Sequence, residues 1–220
     1  MCFSPEGDLV GGLVVTAIGI DVVRHVEHRR DVMALAGFTL LLGFHQIDEA
    51  FVWFGLQGVV PHGLGRVAMW IYLLIAFVVL PVLVPLMVLV LEPTARRRWL
   101  IAPFLAIGAG VATVLLVTMI RNGPAVKLGA FHLAYTIGLD HGVEIIGLYI
   151  VATCGSLLAS GRRPIMAFGV VNLVAVVILA RLSADGFASL WCFYAALSCG
   201  AIALYVRYHH PSRVAAPVAS

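Results

Sequence analysis

Apolar runs of roughly twenty residues fill this chain almost from end to end, separated only by short polar, glycine- or proline-bearing links. That is the length an α-helix needs to cross the hydrocarbon core of a bilayer, about 30 Å thick. Inside lipid every backbone N–H and C=O must be satisfied within the segment, which leaves helices as the only spanning form for such runs. Only 11% of the residues are charged and 62% are hydrophobic, whereas a soluble domain carries roughly a quarter charged. The expected architecture is therefore all-α: a polytopic membrane protein with a single seven-helix domain over residues 1–208 and a short cytoplasmic tail over 209–220.

Seven spans follow from the breaks. The first runs to about Val26 and opens on Ser4-Pro5-Glu6, with Ser4 as N-cap and Pro5 in the first helical position. Residues 1–8 hold no Lys or Arg and the basic residues follow the run, so it is read as a retained helix and not a cleaved signal. The others are expected at about Val32–Leu56, Arg66–Leu91, Trp99–Ile120, Ala130–Ser160, Pro164–Leu182 and Phe187–Tyr208. Pro81 and Pro85 predict a kink in the third. Ala106, Gly108, Gly110 and Ala112 mark close helix packing in the fourth. Arg24, Arg29, Arg30, Arg96, Arg97, Arg98, Arg162, Arg163, Arg207 and Arg213 fall on one side of the seven spans, and Arg66, Arg121, Lys127 and Arg181 on the other. By the positive-inside rule the N-terminus lies outside and the C-terminus inside a plasma membrane. The net charge of +3 thus sits in topology-setting loops and gives no nucleic-acid surface; the lipid bilayer is the expected partner. Glu92, beside the triple arginine, reads as a screened pair at the inner surface.

Within this apolar frame the second span carries His45, Gln46, Asp48 and Glu49. A charged side chain near a bilayer centre costs roughly 2.5–3.5 kcal/mol on insertion scales, so intramembrane ionisable groups are functional candidates. His45, Glu49 and Trp53 share one helical face at i, i+4 and i+8, with Gln46 and Asp48 flanking it. The fifth span places His132, Tyr135, Asp140, His141 and Glu144 in its first half, and Gly138 and Gly142 form a GxxxG around Asp140 and His141. At matched depth, His45 and Glu49 would face His141 and Glu144. Two imidazoles and two carboxylates suit Zn, Fe or Mn. The sharpest expectation is a divalent-metal-dependent membrane enzyme with His45, Glu49, His141 and Glu144 as ligands and Asp48 or Asp140 as proton acceptor for a bound water.

Other readings use the same residues. Buried carboxylates and imidazoles also serve as proton relays, which makes a proton-coupled transporter or channel the main rival. A ligand-free interhelical network would fit an accessory subunit of a larger membrane complex, or a homo-oligomer. A b-type haem between His45 and His141 is disfavoured, and no CxxCH offers covalent haem attachment. Retinal is excluded from the expectations because Lys127 is the only lysine and lies in an external loop. His132 and Tyr135 stand near the outer surface, most simply as interfacial residues. Cys2 and Cys192 both fall on the outer side, where a disulfide between them is expected to form.

Four motifs carry a resemblance: Met1-Cys2-Phe3-Ser4, Gly43-Phe44-His45-Gln46 with Glu49 and Phe51-Val52-Trp53, Leu91-Glu92-Pro93, and Trp191-Cys192-Phe193-Tyr194-Ala195-Ala196. Together they resemble a family of bacterial multipass membrane proteins beginning Met-Cys-Phe-Ser, known as a domain of unknown function. The resemblance implies no reaction. It implies that Cys2, Gln46, Glu49, Trp53 and the Trp191-Cys192 pair belong to a shared design, and that a glutamine often stands where this chain has His45.

Overall fold

A computed structural model describes residues 4–25, 30–129 and 132–182, together with residues 194, 198–201, 203 and 205. The expected seventh span, the 209–220 tail and the Cys2–Cys192 disulfide fall wholly or largely outside the described residues.

The described chain is mostly helical: α1 (Pro5–His25), α2 (Arg30–Leu56), α3 (His62–Leu74), α4 (Leu80–Leu91), α5 (Ala95–Asn122), α6 (Gly142–Leu158) and α7 (Arg163–Leu182), with a β-hairpin between α5 and α6. The start of α1 follows its sequence signal, since Ser4 Oγ accepts the Gly7 N–H at 3.1 Å one residue ahead of Pro5. The π-helical stretch Ile75–Val79 joins α3 and α4 into one helical run, His62–Leu91, which with Ala95–Asn122 is long and apolar enough to cross a membrane. At 1.5 Å per residue these 30 and 28 residues reach about 45 and 42 Å. α1 packs along α2 and α2 along α3; α4, α5 and α6 pack on one another, and α7 packs on α6.

The π stretch is the form taken by the expected proline kink. Leu80 donates its N–H back to Ile75 O, the i→i+5 pattern. In that register Ala76 O would receive its bond from residue 81, and Pro81 has no N–H. The Tyr149 hydroxyl on α6 donates to Ala76 O at 2.8 Å instead. One turn on, Pro85 withholds the bond that Pro81 O would accept. Gly108 of α5 lies directly against that carbonyl, where any Cβ would collide with it. The small residue expected to serve close packing thus meets a carbonyl that the proline has left free.

The fifth span departs from expectation. In place of a helix from Ala130 to Ser160, β1 (Ala125–Leu128) pairs antiparallel with β2 (Leu133–Thr136), Val126 opposite Tyr135 and Leu128 opposite Leu133. α6 begins only at Gly142. Gly123 ends α5 at a φ of 72° and Pro124 follows, while Leu133, Tyr135 and Ile137 alternate with a period of two. Leu133 and Ile137 are buried in a core with Val52, Trp53, Met69, Tyr72, Leu115 and Met119, so the hairpin closes one end of the α2–α3–α5 packing.

At the other end Val84, Val88, Ile101 and Leu157 form a second core. Beside it Glu92 is 1% exposed. Its Oε1 accepts bonds from Ser160 Oγ at 2.6 Å and from the Gly161 N–H at 2.7 Å. Arg98 donates to the Glu92 backbone carbonyl at 2.8 Å. The residue expected to be a screened surface pair is instead a buried staple between the α4–α5 link and the α6–α7 turn.

Candidate functional site

α2 lies between α1 and α3, so its polar residues are covered on both sides. Glycine lets α1 approach closely: a Cβ on Gly11 would touch Gln46 Oε1 at 3.5 Å, and one on Gly12 would collide with Ile47. Further along the antiparallel pair, Gly43 meets Thr16 and Gly19 meets Leu40. Continuing that register outward past Gly12 brings Asp8 level with Glu49 to Phe51.

The result is a set of buried polar residues on α1 and α2. Asp8 is 1% exposed, His45 1%, Gln46 3%, Asp48 6% and Glu49 0%. The His45 ring stacks on Tyr72 of α3 with centroids 4.1 Å apart and planes 11° from parallel. Tyr72 in turn stacks on Tyr135 of the hairpin at 4.8 Å and 17°. An aromatic column therefore leads from the buried imidazole to the hairpin. His45 Nδ1, Asp48 Oδ2 and Trp53 Nε1 are buried without a hydrogen-bond partner among the described residues.

The expected face of His45, Glu49 and Trp53 with flanking Gln46 and Asp48 is thus buried. Its expected counterpart from the fifth span is not. His141 caps α6 in a left-handed conformation with φ of 55°. His141 and Glu144 are 82% and 68% exposed in their side chains, with His141 Nδ1 and Glu144 Oε1 3.9 Å apart. Asp140 is exposed in the turn ahead of them. Gly138 sits at a φ of 61° under the Asn122 amide, which donates to Gly138 O at 2.7 Å, so the supposed GxxxG is a turn and not a helix contact. His132 lies half-buried at the hairpin turn, where its carbonyl accepts the Gly129 N–H at 2.8 Å.

His45 and Glu49 on one side and His141 and Glu144 on the other therefore do not share a dry interior. Among the described residues no three His, Cys, Asp or Glu side chains are grouped so as to hold a metal ion. The reason lies in the backbone. The hairpin takes up the residues that a helix from Ala130 would have turned inward, and the α6 start is left at the surface.

The chain belongs to a family of unknown function, DUF6629. The family model matches residues 1–218, nearly the whole length. No curated protein and no solved structure matches the chain. In this DUF6629 member the chemistry must be read from the cluster itself.

Two members of that cluster were not legible as site residues. Asp8 reads in sequence as a first-turn acid at a positive helix end, and only its position next to Gly11 and Gly12 hints that it faces another helix. Tyr72 reads as one aromatic residue in an apolar run. Three carboxyl groups and an imidazole in one apolar setting cannot all carry charge cheaply, because each unpaired buried ion costs several kcal/mol.

Proposed function

We propose that this chain is a multipass plasma-membrane protein, a seven-span bundle with its N-terminus outside, in which Asp8, His45, Asp48 and Glu49 form a proton relay coupled to transport. The observation that carries the reading is the burial of these four groups to 6% exposure or less on α1 and α2. Intramembrane ionisable groups facing a bundle interior typically mark ion or proton paths. The composition, the two spanning-length helices and the ten-to-four division of basic residues support the membrane setting. The column of His45, Tyr72 and Tyr135 supports reading the hairpin as a cover over the relay, on the outer side in this topology.

The test is proton flux in liposomes holding the purified protein and a trapped pH-sensitive dye, driven by a potassium-diffusion potential. Wild type is expected to acidify the lumen well above empty liposomes, and Glu49→Gln and Asp48→Asn to reduce the rate at least tenfold. Flux equal to that of empty liposomes sinks the relay. A stoichiometric divalent ion in chelator-washed protein, lost in Glu49→Gln, would return the metal-dependent enzyme to first place.

A further inference from the structure

A second polar feature lies away from the relay, where α2, α4, α6 and α7 meet Tyr194, Ser198, Ala201 and Tyr205. A groove of about 590 Å³ runs there, its rim including the exposed Val171, Val174 and Ile178. That volume is in the range of small-molecule sites, which are concave and mostly apolar with few polar groups. The groove continues into a niche of about 30 Å³, the two sharing Phe38, Met87, Leu157, Phe168, Tyr194 and Ser198. The niche has room for one or two groups the size of water.

Asn172 lines the niche and is 4% exposed. Its Nδ2 donates to Cys154 Sγ at 3.3 Å, which turns the amide so that Oδ1 is left buried without a partner. Three of the neighbouring hydroxyls are used elsewhere. Thr153 Oγ1 donates to Tyr149 O at 2.9 Å, Ser198 Oγ to Tyr194 O at 2.8 Å, and the Tyr149 hydroxyl to Ala76 O. The niche therefore offers an acceptor whose own demand is unmet. A buried polar atom without a partner costs about 1–3 kcal/mol, which a ligand supplying the missing donor would recover. Among the described residues no charged one lines either space, so the complementary head is neutral.

We propose that the groove and niche together bind a neutral, hydroxyl-headed lipid, a long-chain alcohol whose O–H donates to Asn172 Oδ1 and whose tail lies in the groove along α7. An ester, ketone or ether of the same length presents only acceptors to an acceptor. A fatty acid brings a charge that no described residue of the site balances.

The test uses the full-length protein in mild detergent with tritiated hexadecanol as probe, competed by unlabelled hexadecanol, by hexadecyl methyl ether and by palmitate. Saturable one-site binding is expected, with the ether and palmitate competing at least tenfold more weakly than the alcohol. A site built to hydrogen-bond a hydroxyl discriminates against the analogue without it. Asn172→Leu is expected to bring alcohol and ether within twofold of each other. Ala175→Trp, which fills the groove, is expected to abolish saturable binding of both with the circular dichroism unchanged. Equal competition by alcohol and ether in the wild type, a comparison that needs no variant to fold, overturns the proposal. So does binding that never saturates.

Discussion

A single carboxylate shows how far a residue's local context can mislead. Glu92 precedes Arg96, Arg97 and Arg98, and proximity in sequence suggests an ion pair. In the fold, Arg98 holds the Glu92 backbone carbonyl and Arg97 covers Gly161, while the carboxylate points inward to Ser160 Oγ and the Gly161 N–H. Hydrogen bonds to a charged acceptor contribute about 1.5–3 kcal/mol each, and losing the acceptor leaves buried donors unmet. Glu92→Ala should lower thermal stability in detergent by about 2–4 kcal/mol, and Glu92→Gln by less, since one oxygen acceptor remains. Equal melting of Glu92→Ala and wild type would show that the staple contributes nothing. The residues bonded to Glu92 are 68 and 69 positions away, so periodicity and capping rules contain no trace of them. The Ser4 cap, by contrast, was legible because donor and acceptor lie three residues apart. The face of His45, Glu49 and Trp53 was legible for the same reason, whereas Asp8 joins it only through the packing of α1 on α2.

Among the elements, the helices whose apolar runs are unbroken emerge near their expected bounds: Arg30–Leu56 for the second span, His62–Leu91 for the third and Ala95–Asn122 for the fourth. The fifth departs because the apolar stretch from Ala130 to Ser160, expected as one helix, holds Leu133, Tyr135 and Ile137 at a period of two, and Gly123-Pro124, Gly129 and that alternation are hairpin signals. With the hairpin in that place, His141 and Glu144 lie at the surface. Leu133 is fully buried under the hairpin, and truncating it to alanine should cost about 2–5 kcal/mol by chemical or thermal unfolding. Unchanged stability would mean that the hairpin is not seated on the α2–α3–α5 core. The π stretch makes a sharper prediction. Tyr149→Phe leaves Ala76 O without its donor and should cost about 1–3 kcal/mol. Pro81→Ala restores a backbone N–H at the position the π register requires. In that background Tyr149→Phe should cost much less, a coupling readable in a double-mutant cycle. Additive losses would refute the link between Pro81 and the hydroxyl.

For the whole molecule, the proposed relay has a direction only if the hairpin and the Glu92 end lie on opposite sides of a membrane. α5 is the element that decides this, because it alone joins the arginine cluster at its start to Lys127 on β1. Its 28 residues, about 42 Å at the helical rise, exceed the hydrocarbon thickness of about 30 Å. Arg96 and Lys127 are both exposed, so cysteines placed there report their compartment. Cys154 and Cys199 are buried; Cys2 and Cys192 are removed as Cys2→Ser and Cys192→Ser. In that background, a membrane-impermeant maleimide should label Lys127→Cys in intact cells and Arg96→Cys only after permeabilisation. Labelling of both from outside would mean that α5 does not cross. Labelling of Arg96→Cys alone would invert the orientation, putting the column of His45, Tyr72 and Tyr135 on the cytoplasmic side and making protons enter the relay through the hairpin from the cell interior.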